Sequence, residues 1–287
     1  MKSYKTQRRT SLFFRYLLLA ILAIVWIAPI IWILMVSFSV NTSGFASYFW
    51  FSKDHPFTLA NYTGIIKNTV YPFSHWFVNT LLVAIASTIL STFITIAISY
   101  ALSRLRFKLR KPFLQVALVL NMFPGFMAMI ALYYILKAMQ LTNLAGLTLI
   151  YVSGAALTFY IAKGFFDTIP RSIDEAALID GATKWQVFTK ITLPLSRPII
   201  VYTALMAFIA PWVDYIFASI VLGNSAPEGR TVAYGLYAMV SGALGDAVKF
   251  FAQFVAGCVM IAVPITILFT VMQKFYVNGI TAGADKG

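Results

Sequence analysis

Long apolar stretches dominate this chain and leave membrane-spanning helices as its main structural option. A helix needs about 20 apolar residues to cross a bilayer. Of the 287 residues, 60% are hydrophobic and 11% are charged, against about 25% charged in soluble domains. We therefore predict an all-α integral membrane protein with six transmembrane helices, the first a retained anchor because its apolar run is too long for a signal peptide. The six stretches are residues 12–40, 76–102, 113–137, 146–166, 198–222 and 248–273.

The distribution of basic residues predicts the orientation of these helices. Lys and Arg concentrate in cytoplasmic loops, and placing both termini in the cytoplasm puts 17 of the 22 Lys and Arg residues there. The segment 167–196 is then cytoplasmic. We expect the helices to pack through small residues; these are Ser87, Ser91, Ala97, Ser99, Gly154, Ala155 and Gly257.

Several classes of function are disfavoured by the same sequence. The net charge of +13 lies in short loops beside helix ends, where membrane lipid and topology account for it without a nucleic-acid partner. The chain has one cysteine and two histidines, and it has no phosphate-binding GxxxxGK[ST] loop. We therefore predict no metal, no cofactor and no ATP hydrolysis by this chain. An intramembrane enzyme is disfavoured because the spans contain no paired acids and no histidine-based site.

A polar, amphipathic segment interrupts the apolar sequence at residues 174–198. Ser172 to Glu175 has the form of a capping box, which predicts a helix beginning at Ile173. Gly181 allows the backbone to turn, and a second short helix is expected from Thr183 to Ile191, ended by Pro194 and Pro198. Two short helices joined at a glycine favour docking against another protein. An amphipathic loop lying on the membrane surface is the alternative.

This segment resembles the EAA motif of binding-protein-dependent ABC importer permeases. The resemblance rests on Glu175-Ala176-Ala177, on Gly181 and on the ITLP sequence at 191–194. Further similarity to maltose/maltodextrin permeases of the MalG type covers roughly residues 70–287. It includes Met122-Phe123-Pro124, Ala131-Leu132-Tyr133, Lys163-Gly164, the run from Asp180 to Trp185 and the final TAGADKG.

The resemblance implies a type I ABC importer permease in a bacterial cell membrane. It implies as partners a second permease, two cytoplasmic ATPase subunits, an extracytoplasmic sugar-binding protein and an oligosaccharide, most simply a maltodextrin. By the same resemblance the permease core is 76–277, after an N-terminal part at 1–75 and before a tail at 278–287. The coupling helix that docks on the ATPase would contain Glu175, Ala176, Ala177, Asp180 and Gly181.

The resemblance also assigns roles to the tail and to one outer loop. In similar permeases the C-terminal tail reaches between the ATPase subunits, and the matching residues here include Gly279, Thr281, Gly283 and Lys286. Asp285 departs from the pattern because an apolar residue is usual there. A loop of similar permeases contacts the binding protein, and the corresponding residues are Tyr234, Gly235, Leu236 and Tyr237.

Asp214 is the acidic residue that lies deepest along a predicted span. It follows Arg197 by 17 residues, or about 26 Å of helix, which places it near the outer boundary of the membrane. Such acids mark ion or substrate pathways or lie at the water interface, and both interpretations stay open. Two alternatives remain for the whole chain: an ion-coupled secondary transporter that uses Asp214, or an importer of a different oligosaccharide.

Overall fold

The computed structural model describes the backbone of residues 2–40, 44–46, 48–122, 125–154, 156–241 and 244–284, and the side chains of most of them. Within these ranges the chain is almost entirely helical. The β-type pairing in the described part of the chain is a single isolated bridge between Ser39 and Phe57. The predicted all-α class is confirmed.

The helices divide between two compact units, of which the first comprises Met1–Tyr71 and Ala238–Met260. It contains α1 (Lys2–Ser37) and α2 (Ala60–Ile66). The Asn68 amide donates a hydrogen bond of 3.0 Å to Gln253 Oε1, which links the two segments of this unit near the end of the first segment. The apolar side chains of α1 are mostly exposed, and Trp26 is 76% exposed. This exposure is what a lipid-facing helix requires.

The second unit comprises Pro72–Tyr237 and Ile261–Gly287. Its helices have the following bounds: α3 Phe73–Arg104, α4 Arg110–Asn121, α5 Gly125–Ala138, α6 Leu144–Ser153, α7 Ala156–Thr168, α8 Arg171–Ile179, α9 Lys184–Gln186, a π-helical segment Val187–Thr192, α10 Leu193–Leu195, α11 Arg197–Val213 and α12 Ile216–Val221. A 3₁₀ turn, Pro227–Gly229, follows. Two last helices, α13 (Val232–Ser241) and α14 (Leu244–Ala284), are each shared between the units.

Helix α3 is the centre of the second unit and packs against α6, α7 and α11. Its buried face carries Ser87, Ser91, Thr95 and Ser99 at intervals of four residues. Small side chains at this spacing let helix backbones approach closely within a membrane. The predictions for Ser87, Ser91, Ser99 and Gly257 are confirmed, since all four are buried. Ala97 and Gly154 are exposed within this subunit, so packing through them stays a prediction, and Ala155 lies outside the described residues.

The described part of the chain includes four helical stretches, one of them comprising α6 and α7, that are long and apolar enough to cross a membrane. They are Ser11–Ser37, Phe73–Arg104, Leu144–Thr168 and Ala247–Gln273. A fifth arises if Lys184–Leu195 and Arg197–Val213, which meet at a bend of 75°, count as one span. The six-span count and the cytoplasmic position of both termini therefore stay predictions.

A break within one predicted span contributes to the lower count. The predicted stretch 198–222 is divided between α11 and α12, because the backbone leaves helical geometry at Asp214. The predicted stretch 113–137 contains α4 and α5, and residues 123 and 124 between them lie outside the described residues. Hydropathy averages over a window and does not register a break of two residues.

Candidate functional site

Helix α8 is the first half of the predicted docking segment, and it begins earlier than predicted. It runs from Arg171 to Ile179 with Pro170 at its N-cap and no side-chain cap. The predicted start at Ile173 with a capping box at Ser172 is therefore wrong. Pro170, with φ of −58°, is compatible with the entry to a helix, and contacts from Arg171 and Asp174 to the end of α3 hold the first turn.

The turn after α8 requires a glycine at position 181. Gly181 has φ of +87°, a conformation that other residues rarely adopt. Its N–H donates to Leu178 O at 3.1 Å, and the N–H of Ala182 donates to Ala177 O at 2.9 Å. These two bonds form a Schellman motif, which satisfies the last carbonyls of the helix. The expectation that Gly181 permits the backbone to turn is confirmed.

A capping box starts the second half of the segment immediately afterwards. Gln186 N donates to Thr183 Oγ1 at 3.2 Å, and Thr183 N donates to Gln186 Oε1 at 2.8 Å. The helix continues through the π-helical segment to Leu195. The prediction that Pro194 ends it is wrong, because the helical backbone continues past Pro194 to Leu195. Two consecutive capping motifs therefore fix the path of the turn from 177 to 186.

Arg104, at the end of α3, fastens α8 to the rest of the second unit. Its Nε lies 3.3 Å from Asp174 Oδ2, and the two side chains are 5% and 16% exposed. Its Nη2 also donates to the carbonyl oxygens of Phe166 at 3.0 Å and Ile169 at 2.8 Å. One guanidinium thus joins the ends of α3 and α7 to the first turns of α8. We call these four residues the Arg104 junction.

Neighbouring polar contacts reinforce the Arg104 junction. Ser103 Oγ donates to Asp167 Oδ1 at 2.6 Å, and Asp167 also pairs with Lys163 at 2.5 Å. Arg171 donates to the Ser103 carbonyl at 3.3 Å. Sequence reasoning missed Arg104 as a functional residue, since it was one of five basic residues between 104 and 111. Its place at the end of an apolar stretch was the available signal.

The predicted coupling residues lie on a helix that buries none of its side chains. Glu175, Ala176 and Asp180 are exposed, and Ala177 is half-buried. Ile179, on the same helix, is 85% exposed. Exposed apolar side chains beside small ones form a surface that another protein can cover.

The four residues predicted to contact a binding protein lie on α13, and they differ in exposure. Leu236 is 3% exposed and is therefore occupied within this subunit. A Cβ added to Gly235 would lie 2.2 Å from the Trp76 ring, so this glycine serves helix packing. Tyr237 is 46% exposed, and its ring lies 4.0 Å from that of Tyr215. Tyr234 is half-buried under Arg230. Tyr237 is the residue of the four best placed to meet a partner.

Side chains at the start of α3 form hydrogen bonds to the backbone of the segment that leads into α13. Trp76 Nε1 donates to Pro227 O at 2.6 Å, and Asn79 Nδ2 donates to Glu228 O at 2.7 Å. Thr80 Oγ1 accepts from Val232 N at 2.8 Å. These three side chains, all within five residues of α3, satisfy backbone groups of the 3₁₀ turn and the first turn of α13.

Asp214 lies between α11 and α12, where both of its oxygens accept hydrogen bonds. Oδ1 accepts from Phe217 N at 3.1 Å, which caps the start of α12, and Oδ2 accepts from the Tyr151 hydroxyl at 2.8 Å. An acid that caps a helix and holds a tyrosine has a structural reason to occur there. The predicted pathway role has no support from this geometry, and it stays a prediction.

The predicted C-terminal tail continues α14. The backbone is helical through Ala284, which includes Gly279, Thr281 and Gly283. Lys286 and Asp285 lie outside the described residues. The tail's contact with ATPase subunits stays a prediction.

Comparison with known proteins relates this geometry to one family. Residues 93–281 match the family described as binding-protein-dependent transport system inner membrane component. The chain is 36% identical to the maltodextrin transport system permease protein MalD of Streptococcus pneumoniae (strain ATCC BAA-255 / R6), over 99% of both chains. It is 33% identical to the galactooligosaccharides transport system permease protein GanQ of Bacillus subtilis (strain 168), over 99% of this chain and 98% of that one.

A solved structure shares the fold. A chain of a bacterial ABC transporter that imports the acidic polysaccharide alginate matches with a TM-score of 0.76 at 24% identity, covering 93% of this chain and 97% of that chain. This likeness confirms the predicted importer permease fold. The sequence matches over nearly the whole length establish more than the fold. The chain belongs to the family of binding-protein-dependent transport system inner membrane components, and is a transport subunit of a bacterial membrane rather than an enzyme.

Proposed function

We propose that this chain is one of two permease subunits of an ATP-driven importer of malto-oligosaccharides. The partners in this proposal are a second permease, two cytoplasmic ATPase subunits and an extracytoplasmic sugar-binding protein. Together the two permeases enclose the translocation pathway, which opens alternately to each side of the membrane.

The observation that carries the proposal is the exposed α8 surface joined to α3 and α7 by the Arg104 junction. A helix of nine residues that buries no side chain gains little stability alone, so it needs a partner to cover Ile179 and its neighbours. A push on this helix is transmitted to α3, because the guanidinium joins both. This arrangement suits a segment that converts closure of ATPase subunits into movement of membrane helices.

Small residues on α8 favour close approach of the ATPase. Ala176 and Ala177 present little bulk, and Glu175 is exposed beside them, where its carboxylate can accept hydrogen bonds from an Arg or Lys of the partner. The fixed turn at Gly181 keeps α8 and α9 at a constant angle. These features give the proposed docking surface a defined shape.

A maltodextrin is the proposed substrate because the relative MalD carries that description at 36% identity over nearly the whole chain. A galactooligosaccharide is the second candidate, favoured by the 33% identity to GanQ over a similar length. The sugar-binding protein contributes to selection in either case, so the substrate is best tested with the whole system.

The test is ATP hydrolysis by the complex that co-purifies with this chain, reconstituted in liposomes with its binding protein. The sugar panel contains maltose, maltotriose, raffinose, lactose and a galactooligosaccharide. Stimulation confined to the glucose oligomers supports the proposal. Stimulation by a galactoside alone would replace the substrate and keep the importer. A complex without any ATPase would contradict the proposed mechanism and favour ion coupling.

A further inference from the structure

An apolar groove and a basic pocket adjoin each other where α3 meets the docking segment. The groove has a volume of about 820 Å³, and its walls are nearly all apolar. One wall is formed by α3 from Thr92 onward and by Leu105 just beyond its end, and the other by Trp185, Phe188 and neighbouring residues of the docking segment. The thirteen residues of α3 from Thr92 to Arg104 extend about 20 Å, roughly two thirds of the 30 Å hydrocarbon core of a bilayer.

The groove opens laterally along a membrane-spanning helix. Phe93 and Trp185, on opposite walls, are 73% and 70% exposed. Because α3 is among the helices able to span the membrane, the exposed wall that contains Phe93 and Ala97 is suited to lie against hydrocarbon. The floor of the groove therefore suits a flexible apolar chain that enters from the side.

The basic pocket adjoins the end of this groove and has a volume of about 310 Å³. Tyr100, Leu105 and Lys184 line both cavities. Its lining also includes the basic residues Arg104, Arg106 and Arg171 and the acidic residues Asp174 and Glu175. Basic side chains thus outnumber acidic ones by four to two.

Existing contacts neutralise part of this charge and leave the rest available. Arg104 pairs with Asp174, and Arg171 donates to a carbonyl oxygen. In the part of the chain whose side chains are described, neither Arg106 nor Lys184 forms an ion pair. Lys184 stands where the apolar groove meets the polar pocket, with Arg106 on the polar side. An anionic group at this boundary would gain from both cations.

We propose that the groove and pocket together bind an anionic phospholipid. One acyl chain lies in the groove between α3 and the docking segment, and the phosphate is held by Lys184 and Arg106. A phosphate joined to an apolar chain is the ligand chemistry that matches adjoining basic and apolar cavities, and basic pockets between membrane helices commonly take such headgroups. The bound lipid would brace the docking segment against α3, next to the α8 surface proposed to meet the ATPase, and Glu175 borders both.

The experiment is native mass spectrometry of the detergent-purified complex containing this chain. It is titrated with dioleoyl phosphatidylglycerol, with dioleoyl phosphatidylcholine and with glycerol 3-phosphate. We expect phosphatidylglycerol to occupy one site at least tenfold more tightly than phosphatidylcholine, and glycerol 3-phosphate not to compete. The measurement is lipid binding, so its outcome does not depend on which sugar the system imports.

Two kinds of variant test the two halves of the site. Lys184→Gln combined with Arg106→Gln should weaken phosphatidylglycerol binding about thirtyfold, at about fivefold for each cation. Ala97→Trp, which fills the groove, should abolish it, and Thr189→Trp on the opposite wall serves if the first variant does not assemble. Lys190→Gln is the matched control, since this exposed lysine of the same segment is absent from the lining of both cavities.

Four results would overturn the proposal. Equal affinity for the two lipids would remove the role of charge, and competition by glycerol 3-phosphate would indicate a free-anion site. Binding unchanged by the charge and groove variants would place the lipid elsewhere. Absence of any bound lipid would mean that another subunit covers the groove in the assembled complex.

Discussion

Replacing Arg104 by glutamine should loosen α8 more than removing the charge of its partner Asp174. Arg104→Gln deprives the Asp174 carboxylate, 16% exposed, of its counter-ion and removes the donor that serves the carbonyls of Phe166 and Ile169. Asp174→Asn keeps an acceptor oxygen and leaves both carbonyl bonds in place. The two halves of one ion pair therefore have unequal effects.

The magnitudes follow from burial and from the bonds lost. Removing one partner of a buried pair costs about 3 to 5 kcal/mol, and the partial exposure of Asp174 places Arg104→Gln near the lower end, at about 3 kcal/mol. Asp174→Asn loses the ion pair, which has no hydrogen-bond geometry, at about 1 to 2 kcal/mol, between the values for exposed and buried pairs. Since 1.4 kcal/mol is a factor of ten, local opening should become about a hundredfold more frequent in Arg104→Gln and about tenfold more frequent in Asp174→Asn.

Hydrogen exchange of the α8 amides measures this opening directly. The Asp180 N–H, which donates to Ala176 O at 3.0 Å, is a suitable reporter in the purified complex. Lys163→Gln is the matched control, because it breaks the other ion pair nearby, whose Asp167 is exposed, and should change protection by no more than about fivefold. The double variant Arg104→Gln/Asp174→Asn should lose less protection than the two single variants summed.

Equal effects of the two single variants, each below about threefold, would refute the argument. That result would mean that α8 is held by contacts other than the Arg104 junction. The inference that α8 and α3 move together would then lose its physical basis.

Three further predictions concern single residues. Gly181→Asp should reduce sugar-stimulated ATP hydrolysis without preventing assembly, because it places a side chain at φ of +87° at a cost of about 1 to 2 kcal/mol. Gly164→Ala, whose added Cβ would likewise meet open space, should behave as wild type. Full uptake by Gly181→Asp would contradict the prediction. Gly235→Ala should lower the free energy of unfolding of the complex by about 1 to 3 kcal/mol, which thermal unfolding would detect. Adding Trp76→Phe should restore part of this loss. A Gly235→Ala variant as stable as wild type would show that α13 can shift. Asp214→Asn should retain uptake within about threefold, as a helix cap allows, whereas abolished uptake would restore ion coupling.

The membrane class and the docking segment could be predicted from the sequence because each has a strong local signal. Apolar length identifies α1 and α3, and the spacing from Glu175 to Gly181 identifies α8 and its turn. Long-range contacts carry no such signal. Arg104 meets the carbonyl oxygens of Phe166 and Ile169 from more than 60 residues away, and no local pattern distinguishes it from the basic residues that follow.

Two predicted boundaries of the polar segment are wrong. Pro194 is predicted to end a helix, but the helical backbone continues past it, directly after a π-helical segment. The capping box at Ser172 was a correct sequence pattern at a place where contacts of Arg171 and Asp174 define the helix start instead. Tertiary contacts prevail over local capping at the start of α8, whereas the local capping box at Thr183 starts the second half.

The bend of 75° at Ser196 makes helix α11 a lever arm within the second unit. Helix α11 has 17 residues beyond this bend, a rigid arm of about 25 Å. A rotation of about 10° at its base would carry the far end, next to Asp214, through roughly 4 Å for that arm length. A rotation of this size near the docking segment would thus displace the far end of α11 by about the width of a side chain.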